Sequence, residues 1–126
     1  MTSAHDVLHE LRAPTRDLRQ AIPDVWEGFG ALHDAAMSDG ALTGKEKQLI
    51  ALAIAVAKRC DGCIASHARS AARLGASRAE VAEALGVALL MDGGTATVYG
   101  PRAWQAYLEY AASEMASSLG PARRSG

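Results

Sequence analysis

Apolar residues recur along this chain at the three- and four-residue spacing of helices, and strand formers are not organised in alternating runs. Residues 4–13 predict a short first helix with Val7, Leu8 and Leu11 as its apolar stripe, interrupted by Pro14. Residues 15–22 are polar and leave their conformation open. Pro23 suits the first turn of a second helix, where a missing N–H costs little. Trp26, Phe29, Leu32, Ala36 and Met37 continue that helix, and Gly40 fits its stop. Thr43 and Glu46 form a capping box for a third helix. From Leu49 to Ala57 this helix is apolar on every side, which predicts a central, fully buried position. Its β-branched residues permit a strand, but the capping box and the length argue for a helix.

The Asp61-Gly62 pair restarts the chain just after Cys60, and a fourth helix is expected from about Cys63 to Leu74, ending at Gly75. Ser77 and Glu80 cap a fifth, with Val81, Ala84, Leu85, Ala88 and Leu89 as its stripe and Gly93-Gly94 as its end. A sixth spans about Thr95 to Ser118 and carries Val98, Trp104, Tyr107, Leu108 and Ala111; Gly100-Pro101 is expected to kink or split it. The whole reads as an all-α domain of about six helices over residues 1–119, followed by a basic, small-residue tail at 120–126 that is expected to fray.

Composition supports this reading and narrows the function. The 126 residues suit one domain. Alanine is abundant and aromatic residues make up only 5%, which favours closely packed helices. A formal net charge of −1 gives no reason to expect nucleic acid or a membrane as partner. The first 22 residues are mixed polar, unlike a secretory signal, and the run from Leu49 to Ala57 is far short of the roughly 20 residues that span a bilayer. A cytoplasmic protein is therefore expected. Both cysteines lie in one CxxC, which in a reducing compartment points to redox chemistry or metal binding.

The chemistry concentrates in Cys60-Asp61-Gly62-Cys63-Ile64-Ala65-Ser66-His67. With Cys63 near the start of a helix, His67 falls on the same face one turn later. Cys60 is within the reach a CxxC disulfide requires. The positive end of the helix favours a thiolate, the form in which cysteine attacks. His67 can accept the Cys63 proton or, protonated, stabilise the anion. Arg59 can help Cys60, and Asp61 opposes it. Cys63 is thus the better nucleophile and Cys60 the better resolving thiol. Three other readings compete. A zinc site needs a fourth ligand, from His33, His5 or His9. Haem attachment needs a histidine directly after the second cysteine, where Ile64 stands. Two inert buried cysteines beside a core histidine are the third. No metal or cofactor is assigned.

The stretch from Lys45 to Trp104 resembles the core of the carboxymuconolactone decarboxylase superfamily, in its alkyl hydroperoxidase D (AhpD)-like branch. The residues that carry the resemblance are Lys47-Gln48-Leu49-Ile50-Ala51-Leu52, the Cys60–His67 segment, the Leu74-Gly75-Ala76-Ser77 turn and Glu80-Val81-Ala82-Glu83-Ala84-Leu85. The resemblance implies an all-helical fold and a dithiol peroxidase or disulfide reductase. It implies a hydroperoxide substrate and a separate thiol reductant. It assigns Cys63 as the attacking thiol, Cys60 as the resolving thiol and His67 to a proton relay. Where the family relay has a glutamate, this chain has Gln48, which can position an imidazole but cannot take up a proton. Glu83 is the first candidate to replace it, on the expectation that its helix packs against the thiol helix. Glu46 is the second, although its capping box is the simpler use for it. Decarboxylase members generally lack the cysteine pair, which disfavours lactone decarboxylation here. The alternative to an enzyme is an oligomeric thiol redox switch, motivated by Gln48. Burying so apolar a third helix and a similar sixth within one small chain is difficult. Homo-oligomerisation is therefore expected, as a hexamer, with a trimer or dimer behind it. Trp26, Phe29, Trp104 and Tyr107 are assigned to the core before an interface, and Tyr99 is a candidate to line the site.

Overall fold

Three helices begin at reciprocal capping boxes, so short local sequences set where they start. Ser3 and Asp6 open α1 (Ala4–Ala21), Thr43 and Glu46 open α3 (Gly44–Lys58), and Ser77 and Glu80 open α5 (Arg78–Asp92). Pro23 occupies the first turn of α2 (Pro23–Met37), as the sequence predicts. Cys60 is the N-cap of α4 (Asp61–Arg73). A single 3-10 turn, Gly93–Thr95, leads into α6 (Ala96–Ser118). The computed structural model describes residues 2–119, which form helices joined by short connections with no strand among them; the tail expected at 120–126 lies outside the described residues.

Both internal prolines are absorbed. Pro14 does not end α1, which runs on to Ala21, and Pro101 neither splits α6 nor ends it. Each proline forfeits one backbone hydrogen bond, to the carbonyl four residues earlier. Both prolines are exposed, where water can serve the freed carbonyl. Residues 15–21, open in the sequence reading, are thus the second half of α1.

The core forms where α3, α4 and α6 meet. α4 packs most extensively on α6 and then on α3, α5 packs on α3 and α6, and α1 covers α4. Leu52, Val56 and Val81 are fully buried among alanines such as Ala65, Ala68, Ala71 and Ala103. Small side chains let these helix backbones approach closely, and their burial supplies the hydrophobic stabilisation. An 18-residue window within Arg78–Ser118 has a mean hydropathy of 1.3, but that stretch is two helices joined at Gly93–Thr95 and packed on each other.

The expected full burial of α3 does not hold within one chain. Gln48, Leu52, Ala55 and Val56 form its buried stripe, while Ile50 and Ile54 are 47% and 51% exposed. The reason is that α2, the neighbour that could cover the other side, packs only lightly on α1 and α3 and buries none of its own residues. Phe29 is accordingly 64% exposed and is not a core residue; Trp26 and Trp104 are half-buried, and Tyr107 is buried. Leu89, expected in the α5 stripe, is exposed as well.

Two polar contacts lock the ends of the bundle. The Glu109 carboxylate accepts the backbone N–H groups of Ala4 and His5, each at 3.1 Å, and pairs with the His5 ring. Burial pushes the Glu109 carboxyl up, but these hydrogen bonds outweigh it and hold the group below its ordinary value. The anion sits at the positive end of α1 and fixes that helix to α6. Tyr107 donates its hydroxyl to the Ala76 carbonyl at 2.5 Å, tying α6 to the turn between α4 and α5. Tyr107→Phe leaves that carbonyl buried without its partner and is expected to cost about 1–2 kcal/mol of stability in urea unfolding. An unchanged midpoint and slope would show that water replaces the hydroxyl.

Candidate functional site

The site is built by a tight reversal between α3 and α4. Arg59 takes the left-handed conformation, with φ 55°, and closes the C-terminus of α3. Its N–H bonds to the Val56 carbonyl at 3.1 Å, and the Cys60 N–H bonds to that of Ala55 at 3.2 Å. Glycine usually fills such a position; a side chain there costs roughly 1–2 kcal/mol. The reversal delivers Cys60 directly to the N-cap of α4, where its sulfur accepts the Cys63 N–H at 3.2 Å. Gly62 lies close under α1, where a Cβ would stand 3.1 Å from Leu11 Cδ1.

Cys60 and Cys63 are joined as a disulfide, with Cα atoms 5.2 Å apart. Cys63 is exposed and Cys60 half-buried, so an incoming reagent meets Cys63 first. Asp61, exposed in the first turn of α4, accepts the Gly62 N–H at 2.7 Å.

His67 lies one turn beyond Cys63 on α4 and is half-buried. Its Nδ1 is 2.7 Å from Oε1 of Gln48, a side chain of α3 that is only 6% exposed. An amide oxygen only accepts, so Nδ1 carries the proton and Nε2 keeps its lone pair. Burial pushes the His67 pKa below its ordinary value, and the charge of His33 adds to the shift. At neutral pH the ring is therefore an uncharged base whose tautomer Gln48 selects.

The structure pairs Gln48 with His67 and Cys60 with Cys63, sets His67 one turn along α4 from Cys63, and leaves Glu83 out of this group. Glu83 is exposed on α5, and α5 packs on α3 and α6 rather than against α4 as expected. Glu46 is engaged by the Thr43 N–H and hydroxyl in its capping box. Tyr99 lines a cavity of about 340 Å3 together with Asp61, Ile64 and Ala65, and Arg102 stacks over its ring at 4.9 Å. This cavity reaches the first turns of α4, but neither cysteine nor His67 is among its walls. Among the described residues no three His, Cys, Asp or Glu side chains converge to hold a metal ion. The sequence reading missed the left-handed Arg59, because glycine is the usual signal for that geometry, and the α1 leucine that packs over Gly62, because the contact is long-range.

Comparisons with known proteins agree with this architecture. The model of the carboxymuconolactone decarboxylase family matches residues 23–106. An uncharacterized protein of Cupriavidus necator is 38% identical over 96 residues, which cover 76% of this chain and 85% of the relative. A protein of Paracoccus denitrificans, named uncharacterized protein 4 in cox locus, is 39% identical over 77 residues, 61% of this chain and 69% of its own. The crystal structure of an apo carboxymuconolactone decarboxylase family protein from Legionella pneumophila superposes with a TM-score of 0.83 at 38% identity, covering 86% of this chain and 96% of that one. The match spans α2 to the middle of α6, with the thiol junction inside it, and the chain belongs to the carboxymuconolactone decarboxylase family.

Proposed function

We propose that this protein is a thiol-dependent peroxidase and disulfide reductase of the AhpD-like type, acting through Cys63, Cys60 and His67. The observation that carries the reading is the cysteine pair at the start of α4 with a neutral, oriented histidine one turn along the same helix. In the reduced protein, His67 Nε2 takes the Cys63 proton and the N-terminal field of α4 stabilises the thiolate. The thiolate attacks one oxygen of a hydroperoxide. The O–O bond breaks, the departing alkoxide takes the proton held on His67 and leaves as an alcohol, and Cys63 becomes a sulfenic acid. The Cys60 thiolate then attacks the Cys63 sulfur. The disulfide forms and the S–O bond breaks, with the oxygen leaving as water after protonation.

The return step requires two electrons from an external dithiol. Its thiolate attacks the exposed Cys63 sulfur, and Cys60 leaves as a thiolate. The Cys63 N–H, which already points at the Cys60 sulfur, stabilises that leaving group. The same hydrogen bond favours the Cys60 thiolate when it resolves the sulfenic acid. Gln48 holds the ring but takes no proton, so the proton collected by His67 goes on to the departing alkoxide and not to a second side chain.

A second reading is favoured by one feature: the His67 partner is an amide and not a carboxylate. A relay without an acceptor suits a slowly cycling thiol switch. Sustained turnover separates the two. Wild-type protein supplied with a dithiol donor is expected to consume many equivalents of hydroperoxide per chain, and Cys63→Ser is expected to lose at least about a hundredfold. Undiminished consumption by Cys63→Ser contradicts the assignment, and consumption that stops at one equivalent indicates the switch.

The exposed apolar faces support a homo-oligomer, which we propose is a hexamer. Ile50 and Ile54 of α3, Val25 and Leu32 of α2, and Leu90 and Met91 of α5 are all exposed, more than a small monomer ordinarily leaves in water. Sedimentation equilibrium is expected to give six chains; a monomer at micromolar concentration contradicts the proposal.

A further inference from the structure

α1 carries its positive and negative charges on opposite sides. At about 100° per residue, Arg12, Arg16 and Arg19 share a side with Leu8, Leu11 and Thr15, whereas Asp6, Glu10 and Asp17 fall on the other. The arginine side borders α4, since Leu8 packs on the core and Leu11 lies over Gly62, while Arg12, Arg16 and Arg19 themselves are exposed. Arg69 of α4 joins the same three arginines in lining an open groove of about 390 Å3.

The α1 arginines are solvated, but the groove they line carries one sign of charge only. A surface helix ordinarily turns its apolar residues inward and its charges outward. Here the arginines flank the apolar stripe, and no carboxylate lines the groove. Among the described residues none of the four arginines forms an ion pair. The Nε of Arg69 is shut off from solvent and has no hydrogen-bond partner. A buried guanidinium N–H without an acceptor is costly, and four like charges around one groove repel. One kind of ligand relieves the repulsion: an anion with several oxygens and more than one charge. A single carboxylate neutralises one arginine. A phosphate-bearing molecule matches more of them and accepts the paired N–H groups of each guanidinium.

We propose that the groove between α1 and α4 binds a soluble, phosphate-bearing small molecule. The groove is separate from the proposed thiol chemistry: Gln48, Cys60, Cys63 and His67 are not among its walls, and its Leu11 lies over the Gly62 of the CxxC turn. Binding therefore stands or falls independently of peroxide turnover.

The test is calorimetric titration of the full chain with inorganic phosphate and with pyrophosphate, at constant ionic strength set by sodium chloride. Saturable pyrophosphate binding is expected. Arg69→Gln and Arg16→Gln are each expected to weaken it about tenfold, the loss of one charge-assisted contact. Glu10→Gln, on the opposite side of α1, is expected to leave it unchanged. If Arg69→Gln fails to fold, Arg16→Gln, whose side chain is exposed, still decides the matter. Three results overturn the proposal. The first is the absence of saturable binding by either anion. The second is unchanged affinity in an arginine variant that retains its helical circular dichroism. The third is association with phosphatidylglycerol vesicles without binding of free pyrophosphate.

Discussion

The hydrogen bond from His67 Nδ1 to Gln48 Oε1 joins the two helices on which the site depends. Gln48 is the one buried polar side chain of the described core, and burying it is tolerable because the imidazole satisfies its oxygen. The bond fixes the ring on α4 relative to α3, so the lone pair of Nε2 is available one turn from Cys63. It also sets the proton chemistry. A carboxylate in that place would stabilise imidazolium and raise the histidine pKa. The amide does not, and burial together with the charge of His33 lowers it. The result is a ready base at neutral pH that gains little once protonated. In the proposed chemistry such a base captures a proton readily and gives it up readily to a departing oxygen.

The second constraint is the junction that feeds the site. The left-handed Arg59 places Cys60 at the N-cap of α4 without an intervening loop. Thiol placement is therefore a consequence of how α3 ends. The cysteines consequently differ: Cys60 is half-buried and hydrogen-bonded to the Cys63 N–H, and Cys63 is exposed. That asymmetry, more than the CxxC spacing, supports the proposed division into an attacking and a resolving sulfur.

Most of the fold was legible because its boundaries are local. Capping boxes at Thr43 and Ser77, Pro23, and the glycines at 75 and 93 act through residues within one turn of each other. The misreadings share one cause. Whether Pro14 ends a helix, whether Ile50 is buried, and whether α5 touches α4 are decided by tertiary packing, which periodicity does not encode. An all-round apolar helix says that both faces need partners, not that one chain supplies them. In the site, Cys60, Cys63 and His67 were legible because they share a helix. Gln48 was legible through family resemblance, and the structure adds its contact with His67. Glu83 was chosen on a packing that the fold does not adopt.

The account rests on Cys63 being an activated thiol served by His67. The rate of alkylation of Cys63 against pH, in a Cys60→Ser background with and without His67→Gln, measures this directly. An apparent pKa well below the roughly 8.5 of a free thiol, moving up toward it when His67 is replaced, is the result the account predicts. A profile centred at the free-thiol value and indifferent to His67 would contradict it.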